Sequence, residues 1–277
     1  MTKMMGAICG DILGSSFEAN NIKHIPTLEE ISSRRCRFTD DTIMTCAAAH
    51  GMVNALHRLP ENWKLDKESE DIICREIQKS LIEFGEKYPF AGYGFGFEEW
   101  LFAKYRRPYN SWGNGSAMRV SYAGWIARNF EEAMFWAKCS AQITHNHEEG
   151  IKGAQVVAAC IYFLRMGKNK DFIRKFVSEY YNVNFSLNDI RDSYGFEVSC
   201  QGSVPQAIVA FLEGSSFQEV IFLAISIGGD SDTIAAIAGS LAEVIYDIPE
   251  DCMKIVNNVL DEYLKGIIRN VVDELRK

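Results

Sequence analysis

The sequence predicts an all-α protein, compact and single-domain over residues 1–277. Three observations carry that expectation. Apolar residues recur at i, i+3, i+4 and i+7 along almost the whole chain, alternating strand-like runs are nearly absent, and only six prolines and no Ser/Pro/Gly-rich linker interrupt it. A composition of 47% hydrophobic and 24% charged residues excludes disordered and fibrous classes. A chain of this length buries roughly three quarters of the surface its unfolded form exposes, so neither disulfide nor metal is needed for folding.

Taken in order, the first helix is expected over Thr2 to Leu13. Gly6, Gly10 and Gly14 are spaced by four and form a side-chain-free stripe, so another helix can approach closely. Tight packing is sufficient reason for three residues that otherwise cost helix stability. After a loop from Asn20 to Arg37, the helix Asp41 to Arg58 follows Phe38-Thr39-Asp40-Asp41-Thr42 and has a small, apolar interior. Helical spacing continues over Glu68 to Tyr88, Ser116 to Arg128, Glu131 to Gln142, Glu148 to Met166 and Asp171 to Tyr181. The loops Tyr88 to Gly96 and Tyr105 to Gly115 are rich in glycine and aromatics, which suits a binding surface better than a mere connector. A loop from Asn182 to Ser199 precedes the last helices, Val204 to Glu213, Ser216 to Ala224, Asp232 to Tyr246 and Pro249 to Leu275.

A formal net charge of −8 repels a phosphate backbone, so nucleic acid is not an expected partner, although a small anion can still be held locally. Apolar stretches such as Val220 to Ile227 fall short of the roughly 18 residues a membrane span requires, so no membrane association is expected. Met4 to Cys9 is too short for an export signal, and the eight scattered cysteines, with no CxxC, read as reduced core residues. A cytoplasmic monomer is the expectation.

Two acidic strings stand out. Thr39-Asp40-Asp41-Thr42 and Gly228-Gly229-Asp230-Ser231-Asp232-Thr233 both occupy the start of a helix with a small-residue interior. Helix capping explains one oxygen acceptor in each. It does not require a second carboxylate and a hydroxyl beside it. Brought together, four carboxylates and two hydroxyls make an oxygen-only site suited to Mg²⁺ or Mn²⁺, with room for two ions. Without Cys or His in either string, zinc is disfavoured.

The segment Gly10-Asp11-Ile12-Leu13-Gly14-Ser15-Ser16-Phe17-Glu18, the string Thr39 to Thr42, Gly113-Asn114-Gly115-Ser116-Ala117-Met118-Arg119, Thr144-His145, and Gly228 to Ala235 occur in that order. Together they resemble the ADP-ribosylglycohydrolase family, from residue 6 to about residue 242. The resemblance implies a compact all-α fold, a binuclear Mg²⁺ or Mn²⁺ centre, and cleavage of the bond between C1″ of a distal ribose and its acceptor. It places metal ligands at Thr39, Asp40, Asp41, Asp230, Asp232 and Thr233, and a gating acid at Glu18. Glu18 or Asp230 then takes a proton from water. It also implies ADP-ribose contacts at Gly113, Asn114, Gly115, Ser116, Met118 and His145. The implied partner is an ADP-ribosylated protein or a small ADP-ribose conjugate.

The residues bear on these roles independently. Glu18 falls in a loop just past the first helix, free to swing toward a metal or away, and by itself reads as an ordinary exposed glutamate. The Gly113 to Ser116 loop permits close backbone approach and offers free N–H groups to an anion, and an Asn-Gly turn capped by Ser116 is the plain alternative. Arg119 can reach a phosphate or pair with a carboxylate. His145-Asn146-His147 lacks a third ligand for a transition metal, and His147 marks a helix entrance with Glu148 and Glu149. Rival readings are a non-catalytic ADP-ribose binder or structural relative, which has little use for two metals, and a metal-dependent nucleotide phosphoesterase, which fits the acidic strings but not the motif order.

Overall fold

The computed structural model describes residues 3–276, and among these the chain is helical, with one isolated antiparallel bridge between Gly113 and Ser199. The helices are α1 (Met5–Gly14), α2 (Leu28–Ser33), α3 (Asp40–Leu56), α4 (Lys67–Lys87), α5 (Phe95–Phe102), α6 (Gly115–Met118), α7 (Ser121–Ile126) and α8 (Phe130–Gln142). The second half contains α9 (Glu148–Arg165), α10 (Lys170–Val177), α11 (Leu187–Ile190), α12 (Cys200–Glu213), α13 (Phe217–Ser226), α14 (Ser231–Ala242), α15 (Glu250–Val259) and α16 (Glu262–Glu274). The all-α expectation holds. Thr2, the expected start of the first helix, lies outside the described residues.

Every residue of α1 and of α14 is buried, and these two helices form the centre of the molecule. The glycine stripe is what brings them together. A Cβ on Gly10 would lie 2.0 Å from the Ala235 carbonyl oxygen, and one on Gly6 would lie 2.2 Å from that of Gly239. Backbone therefore packs on backbone, which any side chain would prevent. The outer helices are amphipathic. α16 buries Leu264, Ile267, Ile268 and Val271, and α10 buries only Ile173 and Val177. All eight cysteines are free and six are buried. No helix among the described residues is long and apolar enough to cross a membrane.

Buried acids tie the central helices end to end. The N-terminus of α1 has no side-chain cap of its own, and Glu243, just past α14, accepts a hydrogen bond from Gly6 N at 2.8 Å. Asp11, inside α1, does the same for α3, accepting from Thr39 N and Thr42 N at 3.0 Å each and from Thr39 Oγ1 at 2.7 Å. Each carboxylate answers the free N–H groups and positive end of the next helix.

Several expected elements are redrawn. The helix expected over Ser116 to Arg128 is two, α6 and α7, and that over Pro249 to Leu275 is also two, α15 and α16. At the second break Leu260 is extended and Asp261 caps α16 by accepting from Leu264 N, yet Val256, Leu260 and Leu264 keep an unbroken apolar spacing across it. Periodicity is blind to such a turn. The expected loops conceal α2, α11 and the start of α5, because six-residue α2 and four-residue α11 each bury a single side chain, Ile31 and Leu187. α12 starts earlier than expected, at Cys200, and α14 ends earlier, at Ala242.

Candidate metal centre and ligand cavity

The two acidic strings meet. Asp41 lies in the first turn of α3 and Thr233 in that of α14, and the Thr233 hydroxyl donates to Asp41 Oδ2 at 2.9 Å. Glu18, Asp230 and Asp232 each present a carboxylate oxygen within 4.8 Å of the other two. These residues and Asp40 line one end of a cavity of about 610 Å³. Thr39 lies behind them: its hydroxyl donates to Asp11 and accepts from Asp41 N.

Local backbone explains the convergence. Gly228 and Gly229 both have positive φ, 67° and 75°, turning the chain sharply into α14. Asn21 clasps that turn: its Oδ1 accepts from Gly229 N, and its Nδ2 donates to Gly229 O, Phe17 O and Glu18 O. The Glu18 backbone is therefore anchored beside Asp230, and what remains free to move is the side chain, which is partly exposed with Arg37 Nη2 at 3.7 Å. Asp230 is held in turn by Asn114 Nδ2 at 2.7 Å.

The electrostatics are those of a site lacking counter-charge. Among the described residues, Arg37 is the only cation within 4 Å of these carboxylates, and it touches Glu18 alone. Burial, followed by Asp11 and Asp230, pushes the Asp40 carboxyl up to about 8. Burial and then Asp232 raise Asp41 well above the usual range, and burial and then Asp230 do the same to Asp232. Glu18 is raised by burial and by Asp230, with Arg37 opposing. Asp230 is raised by burial, partly offset by the Asn114 hydrogen bond. Asp41 Oδ1 is buried without a partner. An orphaned carboxylate oxygen among mutually repelling carboxylates, with a hydroxyl beside them and the clustered acids Glu18, Asp230 and Asp232 offering oxygen alone, is a donor set that fits a hard divalent cation.

The rest of the cavity is built from the two glycine- and aromatic-rich segments, with Tyr93, Phe95, Tyr109 and Trp112 on its walls. Sequence reasoning weighed the aromatics of these loops as walls for a base or ribose but, with core packing as the plainer fate, assigned none of them to the site. Gly113, Asn114, Gly115, Met118 and His145 also line it. Ser116 does not: it is fully buried, and its hydroxyl donates to Gly150 O at 2.7 Å. Arg119 also lines the cavity, but it pairs with no carboxylate among the described residues, donating instead to Ser140 O and Thr144 Oγ1, each at 2.8 Å. Thr144 Oγ1 also lies 2.7 Å from His145 Nδ1. His147 caps α9, its Nδ1 accepting from Glu149 N. Asp11, buried beneath the centre, had no expected role of its own, although it stands in the first motif and is an acid within an otherwise apolar helix.

A family model described as ADP-ribosylglycohydrolase matches residues 3–277. Human ADP-ribosylhydrolase ARH3 is 25% identical over 322 aligned positions, covering 89% of this chain and 85% of the relative. ADP-ribosylarginine hydrolase Tri1 of Pseudomonas putida is 27% identical over a shorter stretch, 49% of this chain and 39% of that one. A solved structure described as an ADP-ribosylglycohydrolase-related protein complex superposes with a TM-score of 0.69 at 18% identity, covering 99% of this chain and 95% of the other.

Proposed function

The chain belongs to the ADP-ribosylglycohydrolase family, and from that premise we propose that it is a divalent-cation-dependent hydrolase cleaving the C1″ glycosidic bond of ADP-ribose attached to a protein side chain or another acceptor. The observation that carries the reading is the set of carboxylates from two distant helix starts, with the orphaned Asp41 Oδ1, at one end of a 610 Å³ cavity. Relatives named as ADP-ribosyl hydrolases support the substrate class. That it acts in the cytoplasm as a monomer is part of the same proposal; among the described residues no helix is long and apolar enough to cross a membrane.

In this reading Asp40, Asp41, Asp230, Asp232 and Thr233, with Thr39 behind them, hold Mg²⁺ or Mn²⁺, two ions in all. When bound, the metal supplies Lewis acidity toward ribose hydroxyls and water. Glu18 or Asp230 accepts the proton of the attacking water. Asn114 orients Asp230 through its 2.7 Å hydrogen bond. Gly113, Gly115, Met118 and His145 face the ADP-ribose, and Ser116 braces their loop from below through Gly150 O. The aromatic walls exclude water from one side of the sugar and offer flat surfaces to a base.

Release of free ADP-ribose from arginine-linked, serine-linked and small-molecule conjugates, read by mass spectrometry with Mg²⁺ and with EDTA, tests the proposal. Turnover that requires the cation is expected for at least one conjugate. Chelator-insensitive turnover removes the metal mechanism, and AMP in place of ADP-ribose makes the protein a phosphoesterase.

A further inference from the structure

His145 reaches the cavity through its Nε2 edge. A Cβ on Gly115 would lie 3.2 Å from Nε2 and one on Gly113 3.4 Å, so the bare backbone of these two glycines is what leaves that nitrogen accessible to a ligand. Which proton Nε2 carries depends on what faces the other ring nitrogen.

The opposite edge is committed. Among the described residues, Thr144 Oγ1 has two hydrogen-bond partners, Arg119 Nη2 at 2.8 Å and His145 Nδ1 at 2.7 Å. Guanidinium can only donate, so Thr144 must accept from Arg119. Its single hydroxyl proton then has one destination, Nδ1, which must be bare to receive it. Were Nδ1 protonated, the threonine oxygen would receive two donors and its own proton would have no acceptor, in a place where Thr144 is fully buried. Arg119 itself is buried and secured from behind by Ser140 O at 2.8 Å, in the last turn of α8, where a cation complements the helix end. The same cation, together with burial, opposes a second proton on the ring.

We propose that Arg119 and Thr144 are positioning residues that hold His145 as the neutral Nε2–H tautomer, so that the ring donates a hydrogen bond to an acceptor oxygen of the bound diphosphate-ribose. The ligand half of this inference rests on the ADP-ribose reading above. The tautomer half rests only on the hydrogen-bond chain. Arg119 is also the residue at which α6 ends before α7.

Proton–nitrogen correlation spectra of protein carrying isotope-labelled histidine test the tautomer without any ligand. Wild type is expected to show His145 protonated at Nε2 and bare at Nδ1. Thr144→Val keeps the side-chain shape and deletes the hydroxyl. It is expected to move the ring toward Nδ1–H and to weaken ADP-ribose binding, measured by calorimetry, by about tenfold, the worth of one hydrogen bond. Thr144→Ser restores both readouts, which a purely structural role for the hydroxyl-bearing residue does not require of the tautomer signal. A wild-type ring protonated at Nδ1 overturns the proposal, as does a T144V protein in which only one of the two readouts, or neither, changes. Wild type that binds no ADP-ribose sinks the reading of the cavity and the donor role, while the spectra still decide the relay.

Discussion

At the level of single residues, the cavity's chemistry is set by carboxylates that have nowhere to put their charge. Asp232 lies against Asp230 and Glu18, with its Oδ1 already accepting from Thr233 N. Asp232→Asn deletes the formal charge at nearly constant shape. It is expected to lower Mn²⁺ affinity and turnover together, each by more than about 100-fold, since removing even an outer hydrogen-bond partner of a metal site costs 10–100-fold. Hydrolysis at the wild-type rate with full Mn²⁺ binding refutes the assignment. Asp11 is a different case: Thr39 N and Thr42 N both donate to its Oδ2 and the Thr39 hydroxyl to its Oδ1, so an amide keeps an acceptor at one position only, meets the hydroxyl with an N–H at the other and loses the charge that faces the start of α3. Asp11→Asn is therefore expected to cost about 1–3 kcal/mol in urea denaturation, and an unchanged midpoint argues that α3 does not need this cap. Asp40, Asp41, Asp230 and Asp232 were legible because they come in strings. Asp11 was not, because burial decides that a lone acid is a cap, and burial is not written in one helix.

Among the elements, the α1–α14 contact decides where the site forms, because α14 carries Asp232 and Thr233 in its first turn and α1 leads directly to Glu18. The glycine stripe announces this contact, though not its partner. Gly10→Ala would place a methyl group 2.0 Å from the Ala235 carbonyl oxygen, an atom of rigid helix backbone. The helices must separate, at an expected cost of about 3 kcal/mol or more in chemical denaturation, with weaker Mg²⁺ binding as α14 shifts. Wild-type stability in G10A would mean that this approach is looser than described. The two helix breaks, at Arg119–Val120 and at Leu260–Asp261, escape periodicity for a common reason: buried residues continue on both sides of each, so the apolar pattern runs through a turn as if the helix continued.

For the whole molecule, gathering these acids couples stability to pH and to metal. Asp40 moves from 3.8 to about 8, and Asp41 and Asp232 are also raised. In the cation-free protein the native state therefore holds protons that the unfolded chain has released, so stability is fullest below about pH 4 for these groups and is lost as pH climbs toward about 8. Melting temperature in EDTA is expected to fall between about pH 5 and pH 8. A divalent cation replaces the protons, so the gain in Tm on adding Mg²⁺ should grow over the same interval, corresponding to about 2.7 kcal/mol at a hundred times Kd. Glu243, also pushed up to about 8, contributes to the first trend but lies outside the cavity, so the Mg²⁺ increment isolates the cluster. A Tm in EDTA that rises with pH, or an Mg²⁺ increment that stays flat, contradicts this linkage.

The helical class, the two acidic strings, the glycine stripe and the two glycine- and aromatic-rich loops were all determined by the sequence alone, because each is a local pattern of residue types and needs no partner to be recognised. Only the tertiary structure decided that Thr233 meets Asp41, that Asn21 fastens Glu18 to the Gly228–Gly229 turn, that Arg119 points into the core, and that Ser116 is buried below the cavity. These are contacts between residues up to 208 positions apart. Distance along the chain carries no record of them. They come into being only when burial removes water and leaves each polar group to find a partner within the protein.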